Sequence, residues 1–148
     1  MKKLLIPLLA LPLLAAAPAG FVYWSSSHLS EMAQKLNGQK TGLEKLDNFG
    51  THSAMLVHRE GSGEAELHQK QVDVMVVQKG SATLVVGGEM VNGRSTGPGE
   101  IRGPSIRGGI QQKIAPGDIV HVPANTPHQV QLAPGHQITY FIIKIDAK

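Results

Sequence analysis

An all-β fold with a short N-terminal helical arm is what this sequence predicts, and three observations carry the prediction. From His52 onward the chain breaks into eight short runs, SAMLVHRE, EAELH, DVMVVQK, SATLVVGG, GIQQKIA, GDIVHV, HQVQLA and QITYFIIKI, rich in β-branched residues and separated by Gly, Pro, Asn or Asp. Eight such runs in one stretch mean a sandwich or barrel. Two of them, Val74 to Val77 and Tyr140 to Ile143, are apolar on both faces, so one face lines an interior and the other meets a second layer or another subunit. At 148 residues the chain is long enough for one domain with a core and too short for two of ordinary size.

The first 19 residues read as a secretory signal. Lys2 and Lys3 form the charged start, residues 4–17 are apolar, and Ala17-Pro18-Ala19 is a small-x-small cleavage pattern. The competing reading is an uncleaved membrane anchor, because no charge appears from Leu4 through Trp24, 21 residues. Pro7, Pro12 and Pro18 favour cleavage, and with no cysteine after the apolar run a lipidated anchor is excluded. The expected product is an exported protein, periplasmic or secreted, with no membrane contact after cleavage. Cysteine is absent throughout, so disulfides, thiolate metal sites and thiol nucleophiles are excluded as well. Removing Lys2 and Lys3 lowers the net charge from +3 to +1, which leaves no electrostatic footprint for nucleic acid.

Residues 20–51 are expected to form the arm. Leu29, Met32, Ala33 and Leu36 recur at helical spacing after the serines at 25–27, and Asn37-Gly38 supplies the stop. Residues 39–50 read as a polar connection with Leu43, Leu46 and Phe49 as anchors and a second helical turn or two. The arm is expected to cover the domain, with a substrate lid as the alternative. Residues 52–148 form the β domain. Inside it, residues 87–109 are Gly-rich and read as a long loop, either a solvated hairpin tip or a segment whose Arg94, Arg102 or Arg107 clamps an anionic group.

Chemistry concentrates in two stretches, GSGEAELHQKQVDVMVVQKG at 61–80 and GDIVHVPANTPH at 117–128. Glu66 and His68 are two apart, so they share one side of a strand, and Asp73 opens the next apolar run. His128 follows a Pro-Ala-Asn-Thr-Pro turn and can close the same site from another strand. Two imidazoles and two carboxylates that meet this way leave positions open for water or substrate, as catalytic metal sites do. Read singly, Glu66 and Asp73 are ordinary solvent-facing residues and His128 a turn histidine; four at matching spacing favour metal.

Glu66-x-His68-x4-Asp73-x6-Gly80, followed by Gly117-x5-Pro123-x-Asn125-x2-His128, resembles the two signature motifs of the cupin superfamily. The spacing matches throughout, while Glu66 replaces a His, Asp73 a Glu, Asn125 a Gly and Leu132 the closing Asn. The resemblance covers roughly 52–146 and implies a jelly-roll β-barrel with one metal held by Glu66, His68, Asp73 and His128. The extra carboxylate makes that set harder than the family's usual one and shifts preference towards Mn, Zn or Fe and away from copper. Asp73, one methylene shorter than Glu, reaches less far.

Other candidates are His58 on the first strand and His121 before the turn, as general base or outer-shell partner if they face inward, and Tyr140 as acid catalyst or core residue. Arg59 and Glu60 read as a solvated charge pair, and His28, His52 and His136 as surface residues. No nucleophile elbow, phosphate loop or dinucleotide fingerprint is present. The resemblance implies a metal-dependent enzyme acting on a small oxygen-rich molecule, in the manner of an isomerase, lyase or oxygenase. A non-catalytic module for a sugar or small acid is the alternative, and a purely structural dimerisation unit a third. Exposed apolar strand faces are compatible with a homodimer.

Overall fold

The computed structural model describes residues 17–147, so residues 1–16 of the expected leader lie outside it. Among the described residues there is one helix, α1 (Ser26–Lys35), followed by thirteen strands. Ser25 caps the helix by accepting a hydrogen bond from the His28 amide at 3.2 Å. Gly38, at φ 81°, ends the turn that follows it.

The strands are β1 (Thr41–Asn48), β2 (His52–Arg59), β3 (Ala65–His68), β4 (Gln71–Gly80), β5 (Ala82–Val86), β6 (Glu89–Val91), β7 (Arg94–Gly97), β8 (Glu100–Gly103), β9 (Ser105–Arg107), β10 (Ile110–Ile114), β11 (Ile119–Val122), β12 (His128–Gln131) and β13 (Ile138–Asp146). One sheet runs β1-β2-β13-β4-β11, a second runs β10-β5-β12-β3-β8-β7, and β6 pairs with β9. The two large sheets face each other across one apolar cluster, with Met55, Val57, Met75, Val77, Tyr140 and Ile142 from the first meeting Leu84, Ile114 and Val130 from the second. This is a jelly-roll sandwich. Its ladders form two facing sheets rather than one continuous ring of strands.

Alternation explains the layering. On β4, Asp73, Met75 and Val77 are buried while Val74 and Val76 face outward. Outside the first sheet, Trp24 stands over Phe141 with ring centroids 5.7 Å apart, and α1 lies against β2, so the arm is a cover for that face. Gly80 shows why the β4–β5 corner needs glycine: at φ 75°, a Cβ there would stand 2.0 Å from the Gln137 carbonyl oxygen.

All eight strands expected from the sequence form, as β2 to β5 and β10 to β13. Two expectations need correction. Residues 39–50 are not helical: β1 pairs along β2 from Thr41↔Arg59 to Asn48↔Ser53 and extends the first sheet. Nor is the 87–109 segment a loop, since it folds into β6 to β9, with β8 pairing against β3 from Ala65↔Gly103 to His68↔Glu100. Both are largely polar segments whose strand state comes from ladder pairing with partners elsewhere in the chain.

Candidate metal centre

Strand register builds the site. Glu66 lies directly opposite His128 on one side and Arg102 on the other, so β8, β3 and β12 present Arg102, Glu66 and His128 as one row. From the facing sheet, Asp73 on β4 lies opposite Lys144 on β13. His68, two residues beyond Glu66, is opposite Glu100. A slip of one residue in any of these ladders would turn its site residue away from the interior.

The four expected ligands converge. His68 Nε2 is 3.4 Å from Asp73 Oδ2 and 3.5 Å from Glu66 Oε2, and His128 Nε2 is 3.4 Å from the same Asp73 oxygen. Ligand atoms of Glu66, His68 and His128 all lie within 4.8 Å of one another. Each imidazole is oriented from behind. His128 Nδ1 is 3.1 Å from the Thr126 carbonyl, and His68 Nδ1 is 2.8 Å from both oxygens of Glu100. In a neutral ring a donating Nδ1 would leave each Nε2 as a lone pair aimed into the cluster, the tautomer a metal ligand needs. The turn that delivers His128 is anchored by the Asn125 amide, which donates to the His68 carbonyl at 2.7 Å. Asn125 takes φ 59°, the conformation for which glycine is usual and asparagine the next best residue.

Asp73 Oδ2 and His128 Nε2 are buried and have no hydrogen-bond partner. In that tautomer the two atoms are acceptors facing each other at 3.4 Å, an arrangement that a bound cation would relieve. The donor set and these orphaned atoms therefore fit a divalent metal.

The site also holds its own cations. Lys144 Nζ donates to Asp73 Oδ1 at 2.7 Å and lies 2.8 Å from His68 Nε2. Arg59 reaches Glu66 at 3.0 Å, Thr41 Oγ1 at 3.1 Å and, through Nε, the Tyr140 hydroxyl at 2.9 Å. Arg102 contacts Glu66 at 2.6 Å and Glu100 at 3.4 Å. Burial pushes the Glu66 and Asp73 carboxyls up. The hydrogen bond from His68 with the Arg102 and Arg59 charges for Glu66, and hydrogen bonds from His128 and His68 with the Lys144 charge for Asp73, outweigh it and hold both far below the usual carboxylate range. Burial pulls the His68 imidazole down, but hydrogen bonds to Asp73 and Glu66 prevail and raise it to about 9. The contact between Lys144 Nζ and His68 Nε2 requires one nitrogen to donate and the other to accept, so the pair shares a proton.

These groups border a cavity of about 390 Å³, walled on its apolar side by Met55, Val57, Met75 and Val130. Tyr140, Arg59, Arg102 and Lys144 also line it, as do Glu66, Asp73 and His128.

Of the seven site residues named from the sequence, Glu66, His68, Asp73 and His128 come together and Tyr140 joins them through Arg59. His58 and His121 do not face inward. His58 is buried on the other side of β2, with Nδ1 2.9 Å from Thr139 Oγ1 and Nε2 3.2 Å from Glu60, because Val57 and Arg59 take the inward positions of that strand. His121 is exposed on β11, where Val122 points in. A second cavity of about 440 Å³, between α1 and the outer face of the first sheet, is bordered by His58, Thr139 and Leu29. Helix α1 therefore lies away from the site cavity, while Lys40, Thr41 and Leu43 of the same arm line it. Sequence reasoning missed Lys144, Glu100 and the inward role of Arg59. Lys144 continues the inward phase of Tyr140 and Ile142, a signal present in the chain.

No protein-family model matches the sequence, and no curated protein is similar enough to match. Solved structures do match. A cupin 2 conserved barrel domain protein from Salinispora arenicola aligns at 15% identity and TM-score 0.51, over 72% of this chain and 76% of that one. The polyketide cyclase RemF from Streptomyces resistomycificus aligns at 17% identity and TM-score 0.51, over 72% and 66%. The DMSP lyase DddQ from Ruegeria pomeroyi aligns at 13% identity and TM-score 0.50, over 72% of this chain and 47% of its own longer one.

Proposed function

From the premise that this chain has the cupin fold, we propose that it is an exported metal-binding protein that acts on a small oxygen-rich molecule. The observation that carries this reading is the meeting of four chain-distant ligand groups around two orphaned buried atoms, Asp73 Oδ2 and His128 Nε2. Glu66, His68, Asp73 and His128 would hold one Mn, Zn or Fe ion, with both imidazoles neutral. Bound there, the ion would supply Lewis-acid polarisation or an activated water. The chain supplies the rest. Met55, Val57, Met75 and Val130 exclude water from one wall, Arg59 and Arg102 fix Glu66, and Glu100 and the Thr126 carbonyl set the imidazole tautomers. A cavity of about 390 Å³ lies within the range of small-molecule sites.

The cyclase and the lyase among similar folds support enzymatic use of such a pocket, and the reaction itself is left at the level of an isomerase-, lyase- or oxygenase-type step. Export rests on the charged and apolar leader. Among the described residues no helix is long and apolar enough to cross a membrane. Elemental analysis after gentle purification tests the metal: close to one equivalent is expected, and less than about a tenth would overturn the reading. N-terminal sequencing of the exported protein tests cleavage after Ala19.

One observation favours a second reading, a non-catalytic module for a sugar or small acid. Asp73 and His68 already have a cation, the Lys144 ammonium, within hydrogen-bond distance. If His68→Ala and His128→Ala abolish metal uptake while ligand binding in a thermal-shift screen is unchanged, this second reading holds.

A further inference from the structure

Lys144 is the residue that the ligand set does not account for. Its Nζ stands against Asp73 Oδ1 and His68 Nε2, two of the groups that would hold a metal. We propose that Lys144 is a resident counter-cation that a metal must displace, and that the site therefore takes up its metal together with a small oxyanion, a carboxylate or phosphate, which the displaced ammonium then holds.

The inference rests on the metal-binding reading above and follows from charge. With both imidazoles neutral, as metal coordination requires, three carboxylates, Glu66, Asp73 and Glu100, face three cationic side chains, Arg59, Arg102 and Lys144, and their charges cancel. A dication entering it leaves two uncompensated positive charges beside Met55, Val57, Met75 and Val130. Unpaired charge in such surroundings is strongly disfavoured. An anion in the same cavity removes the excess. Lys144 is well placed to meet it: its side chain retains 17% exposure, it lines the cavity, and once His68 Nε2 turns to a metal it has lost that partner and keeps only Asp73 Oδ1. Arg59, by contrast, is held on all three sides by Glu66, Thr41 and Tyr140. Metal and oxyanion then bind with positive coupling, each tightening the other by the same factor.

The electron paramagnetic resonance signal of free Mn(II) reads this without any assay of activity. Full-length mature protein is titrated with Mn(II) alone, with pyruvate, with methyl phosphate, and with neutral hydroxyacetone. At least one oxyanion is expected to tighten Mn(II) binding about tenfold while hydroxyacetone does not, and the anion that works identifies the source. Lys144→Met is expected to bind Mn(II) about tenfold more tightly by itself and to lose most of the coupling. Lys144→Gln, which keeps a donor without the charge, gives the same result if the Met variant does not fold. Coupling that is absent for both oxyanions, or a lysine variant that binds Mn(II) no tighter than wild type, overturns the inference and leaves the metal reading intact. If neither wild type nor variant binds Mn(II), Zn(II) or Fe(II), the metal reading falls and this one with it.

Discussion

Lys144 Nζ and Asp73 Oδ1 stand 2.7 Å apart on adjacent strands, and Asp73 is the most deeply buried acid of the cluster, with its side chain 1% exposed. Truncating one partner leaves the other as an unpaired buried charge, which costs about 3–5 kcal/mol. Lys144→Ala is therefore expected to destabilise the metal-free protein by about 3 kcal/mol. Urea denaturation in the presence of a chelator measures it, and saturating Mn(II) or Zn(II) should restore most of the loss because the ion takes over the pairing of Asp73. An unchanged midpoint would mean that water reaches Asp73.

His68→Ala and His128→Ala should each reduce bound metal from about one equivalent to below a tenth, with the far-ultraviolet circular dichroism retained. The two imidazoles come from different strands, β3 and β12, so neither replaces the other. His58→Gln is the contrast. Its ring lies beyond β2, between Thr139 and Glu60, so stability should fall by about 1–2 kcal/mol while metal content stays at wild-type level.

Stability of the metal-free protein should peak between about pH 4.5 and 6.5. Glu66 and Asp73 ionise below their ordinary ranges in the fold, so their contribution is present above about pH 4.5 and is lost as the pH falls through the folded values. His68 is raised from 6.5 to about 9, so its contribution is complete below pH 6.5 and disappears as the pH rises through 9. The loss on the alkaline side should be of order 2–3 kcal/mol. Denaturation midpoints at several pH values with chelator report it, and His68→Gln should flatten the alkaline limb. Metal affinity runs the other way, rising over the same interval, because the ion takes the place of the proton on the His68 ring.

Tyr140→Phe separates positioning from chemistry. The hydroxyl accepts from Arg59 Nε, and burial pushes the phenol up, which keeps it protonated. Removing it should cost about 1.5–3 kcal/mol, the range for a hydrogen bond to a charged group, and leave metal content unchanged. A large loss of bound metal in the Phe variant would give Tyr140 a direct part in the site.

The apolar strands were legible because alternation and turn punctuation are local signals, readable from QITYFIIKI or DVMVVQK alone. β1 and β6 to β9 were not, because TGLEKLDN and the Gly-rich 87–109 segment carry no alternating apolar face; their strand state comes from partners far along the chain. The site divides in the same way. Glu66, His68, Asp73 and His128 were recognisable by spacing, which survives within a motif. Arg59 and Glu100 became site residues only through the register of β2, β3 and β8, which also singles out Arg102 among the three arginines named as clamps, and no short stretch of sequence contains that register. His58 and Arg59 illustrate the limit: adjacent residues, one assigned to chemistry and the other to a surface pair, exchanged roles once the phase of β2 was known.

That strand has two faces at work. Arg59 and Val57 border the candidate-site cavity, while His58 and Leu56 border the space under α1, so the partition between the two chambers is a single layer of backbone. Evolution has little room there. A deletion or insertion within 55–59 would transpose the contents of both chambers at once, and drift in one lining is constrained by its immediate neighbours in the other. Diversification towards new ligands is therefore expected at the polar strands β6, β7 and β9, which can change length and charge without disturbing the partition.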